Sequence, residues 1–131
     1  MIRSFLPALI LLTQLFHSMV FQGDIVDNLS TLFKAANSKE ISKNFSPSVE
    51  LTINEEEDVY SKAQAEQILR EFFNKSVPTN SAVVHLINTN PNYRFGILSL
   101  STKTGKFRVA ITLKKNANTF FITELSVEPD K

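Results

Sequence analysis

Apolar and polar positions alternate with two different periods along the chain. Residues 24–37, DIVDNLSTLFKAAN, space Ile25, Leu29, Leu32, Phe33 and Ala36 three or four apart, which predicts a helix with one apolar stripe. Asp24 suits its N-cap, Asp27 its first turn and Asn37 its stop. Ser38 then caps a short second helix reaching Asn44, with Ile41 and Phe45 turned inward and Pro47 closing it. From Ser48 to Asn54 the period becomes two. Val49, Leu51 and Ile53 alternate with Glu50, Thr52 and Asn54, the mark of a half-buried strand. The acidic run Glu55–Asp58 reads as a charged hairpin loop, and Val59 and Tyr60 as a short returning strand. Ser61–Ser76 returns to helical spacing, with Ala65, Ile68, Leu69, Phe72 and Phe73 on one side. Ser61 and Gln64 form a capping box, Glu66 and Arg70 an exposed pair four apart, and Val77-Pro78 ends the helix.

Beyond Ala82 the pattern is strands only. Val83–Asn88 is a short, nearly continuous apolar run, followed by the turn-rich stretch Asn88–Asn92. Tyr93–Ser101 is the next strand. Lys103–Lys106 makes a hairpin turn in which Gly105 takes a positive φ. Phe107, Val109, Ile111 and Leu113 then alternate against Arg108, Ala110, Thr112 and Lys114. Asn116–Asn118 is a second hairpin turn, and Thr119–Glu128 the last strand, stopped by Pro129. The order α-α-β-β-α-β-β-β-β with short strand connections predicts an α+β fold. Its form is a cone-shaped roll in which a curved, mostly antiparallel sheet wraps on a long helix.

The start of the chain follows neither period. Arg3 is the only charge before Asp24, and FLPALILLTQLF at Phe5–Phe16 is a short apolar run. This predicts an export signal over residues 1–22, too short for a comfortable membrane span, and a single domain over residues 23–131. An uncleaved anchor or an N-terminal core helix is the alternative. The expected location is outside the cytoplasm, in the periplasm, at the cell surface or extracellular, with no membrane span once the signal is removed.

Composition narrows the chemistry. Apolar residues at 43% and charged residues at 21% exclude a disordered chain. The absence of Cys excludes disulfides, thiolate nucleophiles and zinc–thiolate sites. Eleven Phe and no Trp make Phe the bulky packing residue. Without Arg3 the basic residues equal the 13 acidic ones, so no strong field draws nucleic acid or an anionic membrane. The basic residues around Lys103–Lys115 form a local cluster without stacking aromatics, better suited to discouraging edge pairing than to nucleic acid. The acidic run lacks the alternating ligands and turn glycine of a calcium loop. No phosphate loop, nucleotide fingerprint, serine elbow or zinc helix is present, and no metal or cofactor is expected.

The element order resembles the nuclear-transport-factor-2-like superfamily, the fold shared by the SnoaL-type polyketide cyclases. The stretches GDIVDNLSTLFKAANSKEISKNF, YSKAQAEQILREFF, VVHL, GKFRVAITLKK and FFITELSVEP resemble more narrowly an exported Bacteroidota family, the domain-of-unknown-function family numbered 4783. The resemblance spans residues 22–129. It implies the fold and an envelope location and transfers no catalytic residue, because the superfamily holds both enzymes and non-catalytic modules.

Within such a fold the polar groups at strand ends are the candidates. His85, in VVHLI, is the only His after the signal; next to a pocket it is a candidate general base, and the plainer reading is a core or edge position bonded to backbone. Tyr60, Tyr93 and Arg94 stand where a ligand cavity would open, and Tyr93 and Arg94 together suit a carboxylate or phosphate. Arg108 and Glu124 are weaker candidates of the same kind. The first expectation is a non-catalytic module that binds a small molecule or an envelope protein. It would pair with a second copy through the sheet face bearing Arg108, Ala110, Thr112 and Lys114. The alternative is a small-molecule enzyme of the cyclase, isomerase or hydratase type with His85 as base. A third possibility is an assembly factor acting through apolar surface alone.

Overall fold

The computed structural model describes residues 24–131; the expected export signal lies outside the described residues. Three helices, α1 (Ile25–Lys34), α2 (Ser38–Ser42) and α3 (Lys62–Lys75), accompany six strands: β1 (Phe45–Ile53), β2 (Glu56–Ser61), β3 (Pro78–Ile87), β4 (Tyr93–Thr102), β5 (Gly105–Asn116) and β6 (Thr119–Pro129). The element order is the predicted one. The sheet runs β2-β1-β6-β5-β4-β3, antiparallel throughout except for the parallel pair β1·β6. Among the described residues no helix is long and apolar enough to cross a membrane.

Local chemistry explains most boundaries. The Asp24 side chain accepts from the Val26 amide and starts α1. The helix ends in a Schellman motif, Asn37 N–H to Leu32 C=O and Ala36 N–H to Phe33 C=O, with Ala36 at φ 54°. The predicted capping box of α3 is complete: Ser61 accepts from the Gln64 amide, and Gln64 accepts from the Ser61 amide. Glu66 and Arg70 are paired on its exposed side. Gly105 takes φ 136° as it enters β5. The β1–β2 and β5–β6 turns are each made by two residues with positive φ, Asn54–Glu55 and Ala117–Asn118.

Four details differ from the sequence expectation. Phe45 is buried as expected but as the first residue of β1, and Pro47, expected to close α2, lies inside that strand, at an interruption of the β1·β6 ladder where no backbone donor is required. The acidic run is mostly strand: Glu56, Glu57 and Asp58 belong to β2, an edge strand on which charge blocks further pairing. β3 begins at Pro78, with α3 passing straight into it. The buried face of α1 is Val26, Leu29, Ser30 and Phe33; Ile25 and Leu32 only flank the core.

The helices cover one face of the sheet. Phe107, Val109, Ile111 and Leu113 of β5 face them as predicted, beside Leu98 and Leu100 of β4 and Ile122, Leu125 and Val127 of β6. The Phe residues join the layers. Phe33 of α1 meets Phe73 of α3 edge-on at 5.7 Å, and Phe72 meets Phe107 of the sheet at 4.9 Å. Ser30 bonds Ser81 of β3 and Ser76 bonds Thr104, both at 2.7 Å, fastening each long helix to the sheet.

Candidate functional site

A cavity of about 420 Å³ opens between α3 and the β1–β2 hairpin. That volume lies in the range of small-molecule sites. Leu51 and Ile53, on the inner face of β1, form one wall. Ile68, Glu71, Phe72 and Lys75 form the other, because residues three and four apart share a helix face. Tyr60 comes from the end of β2, and Glu56, Asn54 and Ser76 complete the mouth. The floor is apolar, and the rim carries one phenol, two carboxylates and one ammonium. Such an arrangement is chemically suited to an apolar body with a polar end that accepts or donates hydrogen bonds. No group of three or more His, Asp or Glu arranged to hold a metal occurs among the described residues.

Of the sequence candidates, only Tyr60 reaches this cavity. His85 is exposed on β3. Val83 pairs with Leu98, a core residue, but a register shift follows, and His85 pairs with Ile97 on the face away from the helices. Tyr93 is half-buried at the start of β4. Arg94 serves an internal bond: Nε is 3.2 Å from an Asp24 carboxylate oxygen, and its guanidinium lies 4.7 Å over the Phe120 ring. It also donates to the Asn90 and Tyr93 carbonyls, so these contacts pin the N-cap of α1 to the sheet. Glu56, Glu71 and Lys75 were missed in the sequence. Their signal was present in part, since Glu71 and Lys75 flank Ile68 and Phe72 on the helical wheel.

The opposite sheet face holds a depression of about 190 Å³ ringed by Glu50, Glu57 and Glu124, with Phe95, Ala110 and Thr112 beside them. Glu50 and Glu124 are directly opposed in the β1·β6 ladder. The Glu50 carboxyl is raised above its ordinary value, chiefly by its hydrogen bond with Glu57 and by repulsion from that carboxylate, then by burial and by Glu124. A carboxyl raised by folding favours the native state below its ordinary pKa, and that contribution is lost as pH rises through the folded value. Glu50→Gln should therefore raise the melting temperature at pH 7, with a gain that shrinks as the buffer is acidified. A scan of melting temperature against pH for both proteins checks this, and a gain that grows in acid would refute it.

Comparison with known proteins agrees with this architecture. No curated protein matches the chain. A DUF4783 family protein from Bacteroides ovatus has 29% identity and TM-score 0.74, over 79% of this chain and 93% of its own. One from Bacteroides uniformis has 25% identity and TM-score 0.78, over 82% and 99%. The fold alone is shared with a variant of Rd1NTF2_05, at 11% identity and TM-score 0.60, over 79% and 92%. The cone-shaped nuclear-transport-factor-2-like roll expected from the sequence is thus the fold observed. The model of the domain of unknown function DUF4783 matches residues 26–128, nearly all of the described fold, and the chain belongs to the DUF4783 family.

Proposed function

We propose that the protein is an exported, non-catalytic module that binds a small molecule in the cavity between α3 and the β1–β2 hairpin. The carrying observation is the cavity itself: an apolar floor of Leu51, Ile68 and Phe72 beneath a rim of Tyr60, Glu56, Glu71 and Lys75. A concave pocket in which apolar walls meet convergent polar groups is a common form of ligand site, and here the polar share is large. The rim groups suit hydrogen bonding and charge pairing with a polar ligand end. His85, the residue on which an isomerase or hydratase reading depends, belongs to the other sheet face by register. The leader-like residues 1–22 support a place of work outside the cytoplasm.

Binding is tested by titrating a broad set of polar metabolites while following backbone amide resonances. A true ligand should shift Tyr60, Ile68 and Lys75 in a saturable way. Ile68→Trp, which places an indole on the half-buried apolar lining, should weaken that ligand at least about tenfold with the fold intact. A screen in which no compound produces saturable shifts at these residues would reject the proposal.

A further inference from the structure

We propose that a second site, where β1 bows away from β6, binds a small organic carboxylate with an apolar tail. The bow is set by strand register. Phe45 pairs with Ile122 and Glu50 with Glu124, so residues 46–49 of β1 stand opposite Thr123 alone. The β5·β6 ladder shifts at the same place, with Leu113 on Ile122 and Thr112 on Glu124, so Thr123 is an extra residue against β5 while it faces four residues of β1. The parted strands leave a groove of about 380 Å³, large enough for a small ligand. It lies at the opposite end of β1 and of α3 from the cavity described above, which is lined by Ile53 and Lys75.

The lining combines apolar surface with positive charge. Pro47 and Phe121 supply the accessible apolar part, over the fully buried Phe45, and Lys62 and Lys114 line the groove from α3 and β5. Neither lysine has a carboxylate within ion-pair distance among the described residues. Lys62 is also the first residue of α3, where the helix dipole favours an acid, and the first turn of that helix holds none. The two ammonium groups and the helix end therefore add up to a positive potential beside an apolar groove. An anion with a hydrocarbon body complements both features: the tail excludes water from the Phe and Pro surfaces, and the carboxylate pairs with the lysines. The competing account is that the lysine stems merely shade apolar surface while their charges stay in water.

Decanoate, kept below its micelle concentration, and decanol, the same tail without the charge, separate the two. Titrated into the folded protein at neutral pH, decanoate should shift the amides of Lys62, Lys114, Phe121 and Thr123 saturably. Decanol should bind about tenfold more weakly, and the double variant Lys62→Gln/Lys114→Gln should lose a similar factor for decanoate. Thr123→Trp should abolish binding by filling the groove, and the exposed lysine pair keeps the test decisive should that variant fail to fold. Equal affinity for decanoate and decanol, no saturable shift, or shifts confined to Tyr60, Ile68 and Lys75 would overturn the proposal. So would a doubling of molecular mass with protein concentration accompanied by the same shifts, since a second copy would then occupy the groove.

Discussion

Phe33→Ala is expected to lower the free energy of unfolding by about 3–5 kcal/mol, the range for truncating a buried Phe. Phe33 is fully buried and meets Phe73 edge-on at 5.7 Å, so it is the aromatic link between α1 and α3. Phe73 in turn meets Phe72, which meets Phe107 of the sheet. Truncation therefore leaves a void at the junction of both helices with the sheet, bounded by regular elements that have little freedom to collapse. A domain of this size holds about 5–15 kcal/mol in total, so the loss is a large share of it. Denaturant titration should show a lower midpoint at an unchanged slope. A loss below about 1 kcal/mol would mean that the aromatic chain is not what joins the layers.

The second large effect is expected at Gly96, which has ordinary neighbours in sequence and an unusual one in space. A Cβ built there would stand 2.5 Å from Cγ1 and 3.0 Å from Cγ2 of Val26 on α1. Val26 is fully buried and β-branched, so those methyls cannot swing aside. Gly96→Ala should cost about 1–3 kcal/mol through overpacking, even though alanine is a modest addition. The cause is checked by a double-mutant cycle. With Val26→Ala the space opens, and most of the Gly96→Ala cost should vanish, giving a coupling of about 1–2 kcal/mol. Additive costs would instead place the requirement for glycine in the β4 backbone.

These two positions also mark what the chain reveals of itself. Phe33 is legible in the helical spacing of residues 24–37, as is Phe107 in the alternation of β5, because both periods are local. Val26 is not, since the orientation of α1 is set by the bare Gly96 backbone, a partner far along the chain. Pro47 misleads for a similar reason. A proline after a helical pattern signals a stop, but here it occupies a gap in a ladder whose other strand lies near the end of the fold. His85 lies in a run that is apolar on both sides, and the shift after Val83 breaks the parity that would have assigned its face. Of the candidate cavity, Tyr60 could be proposed from its place at a strand end. Glu71 and Lys75 gain meaning only once α3 is known to lie over β1 and β2.

The parallel pairing of β1 with β6 has a consequence for how the protein comes into being. β6 is an interior member of the sheet, bordered by β1 and β5, yet it is the last of the described strands to be synthesised. Until Thr119–Pro129 exists, the β1–β2 ribbon and the β3–β4–β5 meander have no common neighbouring strand. The emerging polypeptide can build each hairpin but cannot join the halves into one sheet. Assembly of the full sheet therefore waits on β6, the strand that gives both halves a shared neighbour.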